Sequence, residues 1–260
     1  MSTWSLTPIE TAVLFGVAGL DQLPAPLSAR LADSDDHAAD VLLENTASRL
    51  AGTITPAQVT ALQVLAGPTH RLAVIATPPT APDRGVRIAS GFRDGHAVIA
   101  SQNTDPTDPH AATGGIITIT ATTLATWITE VVAALPRIGP GRLPPVADLK
   151  PGDSEDGLPD SVLTSTDDED QARARHTLVN APADLLGEFR LEQLDPQTTT
   201  VLSRSSILVA DITGDGRYAV YGRRKRSAKP VSPGELVTLL TDEMSDLKNH
   251  VKSGAAAPSN

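Results

Sequence analysis

The chain has 260 residues, of which 40% are apolar, 20% charged and only 3% aromatic, and it contains no cysteine. Its 21 Lys and Arg against 31 Asp and Glu leave a net charge of −10, a field that repels phosphate backbones and argues against nucleic acid as partner. Without cysteine there are no disulfides, thiolate metal sites, iron–sulfur clusters or cysteine nucleophiles.

The length fits one large domain or two small ones. No charged leader opens the chain: the first basic residue is Arg30, and Glu10 interrupts the early apolar stretch. The apolar run from Ala12 to Leu20 is about half of a membrane span. The expectation is a soluble, cytoplasmic protein that does not insert into membranes.

Trp4 to Leu6 reads as a short strand. Thr7-Pro8-Ile9-Glu10 is a capping box with proline at the first helical position, so a helix is expected from about Pro8 to Ala18. A second helix spans about Asp35 to Ala51, with Ala39, Leu43, Ala47 and Leu50 at helical spacing. Thr55-Pro56-Ala57-Gln58 caps a third, which Gly67-Pro68 ends. Strands follow at Arg71 to Ala76, Val86 to Phe92, Ala97 to Ser101 and Ile116 to Thr120. Asp94-Gly95 supplies the positive φ values of a two-residue hairpin turn between two of them. Leu124, Trp127, Ile128, Val131 and Leu135 then form an amphipathic helical stripe.

From Pro136 to about Ser165 the periodicity is lost among Pro, Gly and acidic residues, the composition of an extended linker. A helix is expected from about Asp167 to Asn180, and strands at Glu188–Leu194, Val201–Ile212 and Arg217–Arg223. Ser232-Pro233-Gly234-Glu235 is a third capping box. Its helix carries Leu236, Leu240, Met244, Leu247 and Val251 on one face. Four segments result: an α+β half at 1–135, a linker at 136–165, a second α+β half at 166–252 and a tail at 253–260.

The halves share a grammar. Asp94-Gly95-His96-Ala97-Val98 is similar to Asp215-Gly216-Arg217-Tyr218-Ala219-Val220 with one residue extra. Leu124 to Glu130 aligns with Leu236 to Asp242 position for position. Both follow a hairpin with an amphipathic helix, which implies a degenerate duplication with a rough two-fold about a shared sheet.

Catalytic constellations are sparse. No two histidines stand at i, i+4, the helical spacing of a metal pair. His96 follows a hairpin turn and His110 lies in an Asp/Pro loop. Asp211-Ile212-Thr213-Gly214-Asp215-Gly216 has part of a calcium-loop pattern, but its twelfth position is Gly222 rather than a bidentate Glu, and strands flank it. A tight turn is the better reading. There is no phosphate loop and no Gly-x-Ser-x-Gly elbow. Two surface features remain. One is the basic run Arg223-Arg224-Lys225-Arg226, read as a turn before the last helix. The other is Thr77-Pro78-Pro79-Thr80-Ala81-Pro82-Asp83-Arg84, longer than the 2–5 residues of most hairpin loops and stiffened by proline, as a recognition loop would be.

Several blocks occur in an informative order. Trp4-x-Leu6-Thr7-x-x-Glu10 leads to Gly19-Leu20-x-x-Leu23-Pro24-x-Pro26-Leu27. Ser48-Arg49-Leu50-Ala51-Gly52-Thr53-Ile54-Thr55-Pro56 follows. Asp211-Ile212-x-x-Asp215-Gly216-Arg217-Tyr218 then precedes the basic turn and Ser232-Pro233-Gly234-Glu235-Leu236. This series resembles the EspG family, the cytosolic chaperones of actinobacterial type VII secretion. The resemblance implies an α+β fold of pseudo-two-fold halves, with a central antiparallel sheet and flanking helical bundles. It implies no catalysis and no cofactor. The implied partner is a PE–PPE heterodimer, whose exposed apolar PPE tip is covered until export.

By the same resemblance the partner surface comprises the loop Thr77, Pro78, Pro79, Thr80, Ala81, Pro82, Asp83 and Arg84. Arg87, Leu236 and Leu240 are added from the sheet and the C-terminal helix, although the two leucines fit a buried core equally well. Two other classes stay open on the residues: a small hydrolase or metal enzyme using carboxylates with His96 or His110, and a scaffold recruiting an acidic partner through Arg223 to Arg226. The sequence leaves the choice between monomer and dimer open.

Overall fold

The computed structural model describes residues 2–20, 22–29, 36–81, 84–103, 110, 114–149, 166–222 and 226–252. In chain order the elements are β1 (Ser2–Leu6), α1 (Pro8–Val17), α2 (Asp36–Ala51), α3 (Pro56–Ala66), β2 (His70–Thr77), β3 (Val86–Arg93), β4 (His96–Asn103), β5 (Ile117–Thr122) and α4 (Leu124–Ala133). They continue with β6 (Val146–Leu149), α5 (Thr166–Asn180), β7 (Ala183–Leu194), β8 (Val201–Ile212), β9 (Gly216–Tyr221), β10 (Arg226–Pro230) and α6 (Pro233–Lys252).

The local signals work as their chemistry requires. Glu10 Oε2 accepts from the backbone N–H of Thr7, and the Thr7 hydroxyl accepts from Glu10 N, closing the box that starts α1. Thr55 with Gln58 and Ser232 with Glu235 repeat it at α3 and α6. Asp94 and Gly95 sit at φ 49° and 84° and turn β3 into β4.

All ten strands belong to one antiparallel sheet in the order β1-β5-β4-β3-β2-β7-β8-β9-β10-β6. Its two middle strands come from the two halves of the chain: Leu72 of β2 faces Leu191 of β7, and Val74 faces Phe189. On one side of the sheet these four, with Ile207 and Val209, pack beneath α4 and α6 through Trp127, Val131, Leu236, Leu240, Met244 and Leu247. Each such side chain removed from water stabilises the fold by ~1.5–3 kcal/mol. On the other side, α1, α2 and α3 cover only the first half of the sheet, with Phe15, Leu50, Leu62 and Leu65 over Val98, Ala100, Ile117 and Ile119. At the opposite edge α5 packs against β6.

The structure departs from the sequence expectations in the second half. The stretch after Pro136, expected to be an open linker, is held to the sheet as far as Leu149. Gly139 O accepts from Arg217 N, Gly141 N donates to Arg217 O, and β6 pairs with β10. Residues 150–165 and 253–260 lie outside the described residues. β10 begins at Arg226, the last residue of the run read as a basic turn. Its sequence Arg-Ser-Ala-Lys-Pro has no apolar alternation, and it is a strand because β9 and β6 flank it. β7 starts at Ala183, five residues before the expected Glu188.

Candidate protein-docking face

Among the described residues, the helices leave a strip of the second sheet face without cover. Strand alternation puts Leu72, Val74 and Ala76 into the core and turns Arg71, Ala73, Ile75 and Thr77 the other way. Register then aligns rows across the strip. Ile75 stands between Arg87 of β3 and Glu188 of β7, and Glu188 is followed by Leu208 and Val220. Leu186 stands between Thr77 and Ala210. Ile75 is 43% and Leu186 49% exposed, in a sheet whose opposite face is almost fully buried. Two large aliphatic side chains on adjacent strands form an apolar patch on that bare strip.

The loop from Pro78 to Gly85 rises from this end of the strip. Two consecutive turns shape it, Ala81 N donating to Pro78 O and Arg84 N to Ala81 O. Gly85 closes it, because a β-carbon there would lie 2.6 Å from Ala76 O. Pro79, Thr80 and Arg84 are exposed. Arg87, two residues beyond the loop, donates to Ser28 Oγ and so ties the sheet to the segment beside α1.

Farther along the same strands the strip becomes charged. Glu188 pairs with Arg190 at 3.3 Å. Glu192 is clamped by Arg71 at 3.1 Å and Arg204 at 2.8 Å, so its carboxylate is covered while the guanidinium groups meet solvent.

These positions can be set against the residues expected from the sequence. Thr77, Pro78, Pro79, Thr80, Ala81 and Arg84 form the loop and its base, and Arg87 is on the same face. Pro82 and Asp83 lie outside the described residues, as do Arg223, Arg224 and Lys225. Leu236 and Leu240 are corrected: both are fully buried between α6 and the sheet and present nothing to a partner. Ile75 and Leu186 were missed. Ile75 sits in the unbroken apolar run Leu-Ala-Val-Ile-Ala, where alternation is invisible, and Leu186 precedes the point at which β7 was expected to begin.

The two carboxylates of the partial calcium-loop pattern are both engaged. Asp211 accepts two hydrogen bonds from Arg217, at 2.6 and 2.8 Å, with both residues buried. Asp215 accepts from Tyr218 Oη and from Arg142 N and Nε. Burial pushes the Asp215 carboxyl up, but these bonds outweigh it and hold the group below its ordinary value. Burial, then the bond to Asp215, pushes the Tyr218 phenol up to about 12. The run that partly matches a calcium loop is thus a tight turn whose carboxylates are committed to cations and a phenol. An apolar cleft of about 430 Å³ lies between the end of α4 and the start of α6, and no carboxylate or imidazole lines it. Among the described residues no group of three or more His, Asp or Glu is placed to hold a metal ion, and no helix is long and apolar enough to cross a membrane.

The model of the EspG family matches residues 7–242. The chain belongs to the EspG family. Its fold is that of a solved EspG structure, described as the Mycobacterium tuberculosis type VII secretion system chaperone EspG5 in complex with the PE25-PPE41 dimer. The two superpose with a TM-score of 0.59 over 91% of this chain and 94% of that one, at 14% sequence identity. No curated protein sequence matches the chain. EspG-family membership thus rests on the family model, and the structural likeness carries the α+β architecture with its large antiparallel sheet.

Proposed function

We propose that the chain is a non-catalytic, cytosolic chaperone that binds a PE–PPE-type heterodimer of a type VII secretion system and keeps it soluble until export. One observation carries the reading for this chain: an uncovered apolar strip, centred on Ile75 and Leu186, beside a proline-stiffened loop. Such a surface stabilises a partner by burying complementary apolar side chains within a polar rim. Proline in the loop reduces the ordering entropy lost on docking. An interface of ~1,200–2,000 Å² is the ordinary size for this kind of recognition. The family membership and the partner in the EspG5 complex support a PE–PPE-type cargo.

The duplication of the halves belongs to the same proposal. Each half runs strand, helical segment, four strands, helix: β1, α1–α3, β2–β5, α4, then β6, α5, β7–β10, α6. The strand order is palindromic in these terms, since β2 sits opposite β7, β3 is equivalent to β8, and β1 and β6 are the two edges.

Co-expression tests the function. Each PE–PPE-type pair of the same genome is produced with and without the chain. One pair is expected to move from the insoluble fraction into a stable soluble complex. If every pair behaves alike in both conditions, the chaperone reading is wrong.

A further inference from the structure

The uncovered strip has a direction. At the loop end it is apolar, with Ile75, Leu186 and Ala210, while at the other end it is cationic. In the row of Ile75, Arg87 and Glu188 balance; beyond it stand three arginines (Arg71, Arg190 and Arg204) against Glu192, an excess of two positive charges on a protein of net charge −10. The Glu192 side chain is 5% exposed beneath Arg204 at 57%, and Arg190 at 44% is more open than its partner Glu188 at 34%, so solvent meets more of the guanidinium groups than of the carboxylates. Arg190 and Arg204 lie two and four residues beyond the row of Ile75 and four and six beyond that of Leu186, roughly 7–20 Å along the strands.

We infer that the cargo surface carries carboxylates, placed ~7–20 Å from its apolar anchor, that dock on Arg190 and Arg204 while the anchor covers Ile75 and Leu186. This rests on the docking function proposed above and adds the chemistry and orientation of what is bound. Charge complementarity is the argument. Apart from the run Arg223 to Arg226, the rest of the chain carries a net negative charge that repels an acidic partner, so the cationic end of the strip draws such a partner onto this face and sets which way round the cargo lies. Apolar burial alone leaves that orientation undetermined.

The full chain is titrated against the PE–PPE-type pair with which it co-purifies, at 50 and 500 mM NaCl. Four proteins are compared: the native chain, Arg190→Glu, Arg204→Gln and Ile75→Asp/Leu186→Asp. Melting curves show that each is folded. The native complex is expected to weaken about tenfold at the higher salt. Arg190→Glu and Arg204→Gln are each expected to weaken it at low salt and to flatten the salt dependence, whereas Arg190→Lys restores it. Salt-insensitive binding, unaffected by the arginine changes yet abolished by Ile75→Asp/Leu186→Asp, overturns the acidic-cargo inference and leaves the docking function standing. Binding that no variant alters, or no pair that binds at all, overturns both.

Discussion

Gly141 lies directly over the ring of Tyr218, so close that a β-carbon on the glycine would stand 2.0 Å from Cζ of the phenol. The contact fixes the strap from Gly139 to Leu143 to the start of β9, where Leu143 N donates to the Tyr218 hydroxyl and Arg142 binds Asp215. Gly141→Ala must displace either ring or strap. Overpacking of this kind costs about 1–3 kcal/mol, and each kcal/mol lowers Tm by about 2–4 °C in a chain of this size. Thermal unfolding of the variant checks this; an unchanged Tm would mean that the strap is not tightly held.

The ion pair of Asp211 and Arg217 makes a second prediction. Both side chains are buried, and Arg217 also donates to Pro136 O. Arg217→Met leaves a buried carboxylate without its cation and is expected to cost ~3–5 kcal/mol in urea unfolding, whereas the double change Asp211→Leu/Arg217→Met costs less. If the double variant is as unstable as the single one, the cost lies in shape rather than in charge.

His70 gives the protein an acid-sensitive component. Its ring packs against Phe92, and burial, with Lys248 second, lowers its pKa to about 4 from an ordinary 6.5. The fold therefore favours the neutral ring. Its contribution is present above pH 6.5 and is lost progressively as the pH falls from 6.5 towards 4. The Tm of His70→Gln is expected to fall less than that of the native chain between pH 7.5 and pH 4.5. Parallel falls would show that His70 does not carry the effect.

What the sequence revealed and what it hid follow from the range of the forces involved. The helix starts were legible because Thr7, Thr55 and Ser232 act within four residues of themselves, and the Asp94-Gly95 turn because it needs only two. β6 and β10 were not legible: four or five residues each, without apolar alternation, they are strands only because distant neighbours pair with them. The long loop between β2 and β3 could be read from its prolines and length. The apolar strip could not, because what exposes Ile75 and Leu186 is the reach of α1–α3 across the sheet. For the same reason the apolar face of α6, with Leu236 and Leu240, was set among the partner contacts although the sheet already covers it.

In the proposed function the uncovered strip is the surface that binds the cargo. The most direct measurement is the affinity of the native chain and of Ile75→Asp/Leu186→Asp for the PE–PPE-type pair that co-purifies with it, alongside their melting temperatures. Both residues already face solvent, so the variant should melt within about 2 °C of the native chain. Two charges in the centre of an apolar contact should weaken binding at least a hundredfold. Full affinity in a folded variant would show that the cargo binds elsewhere.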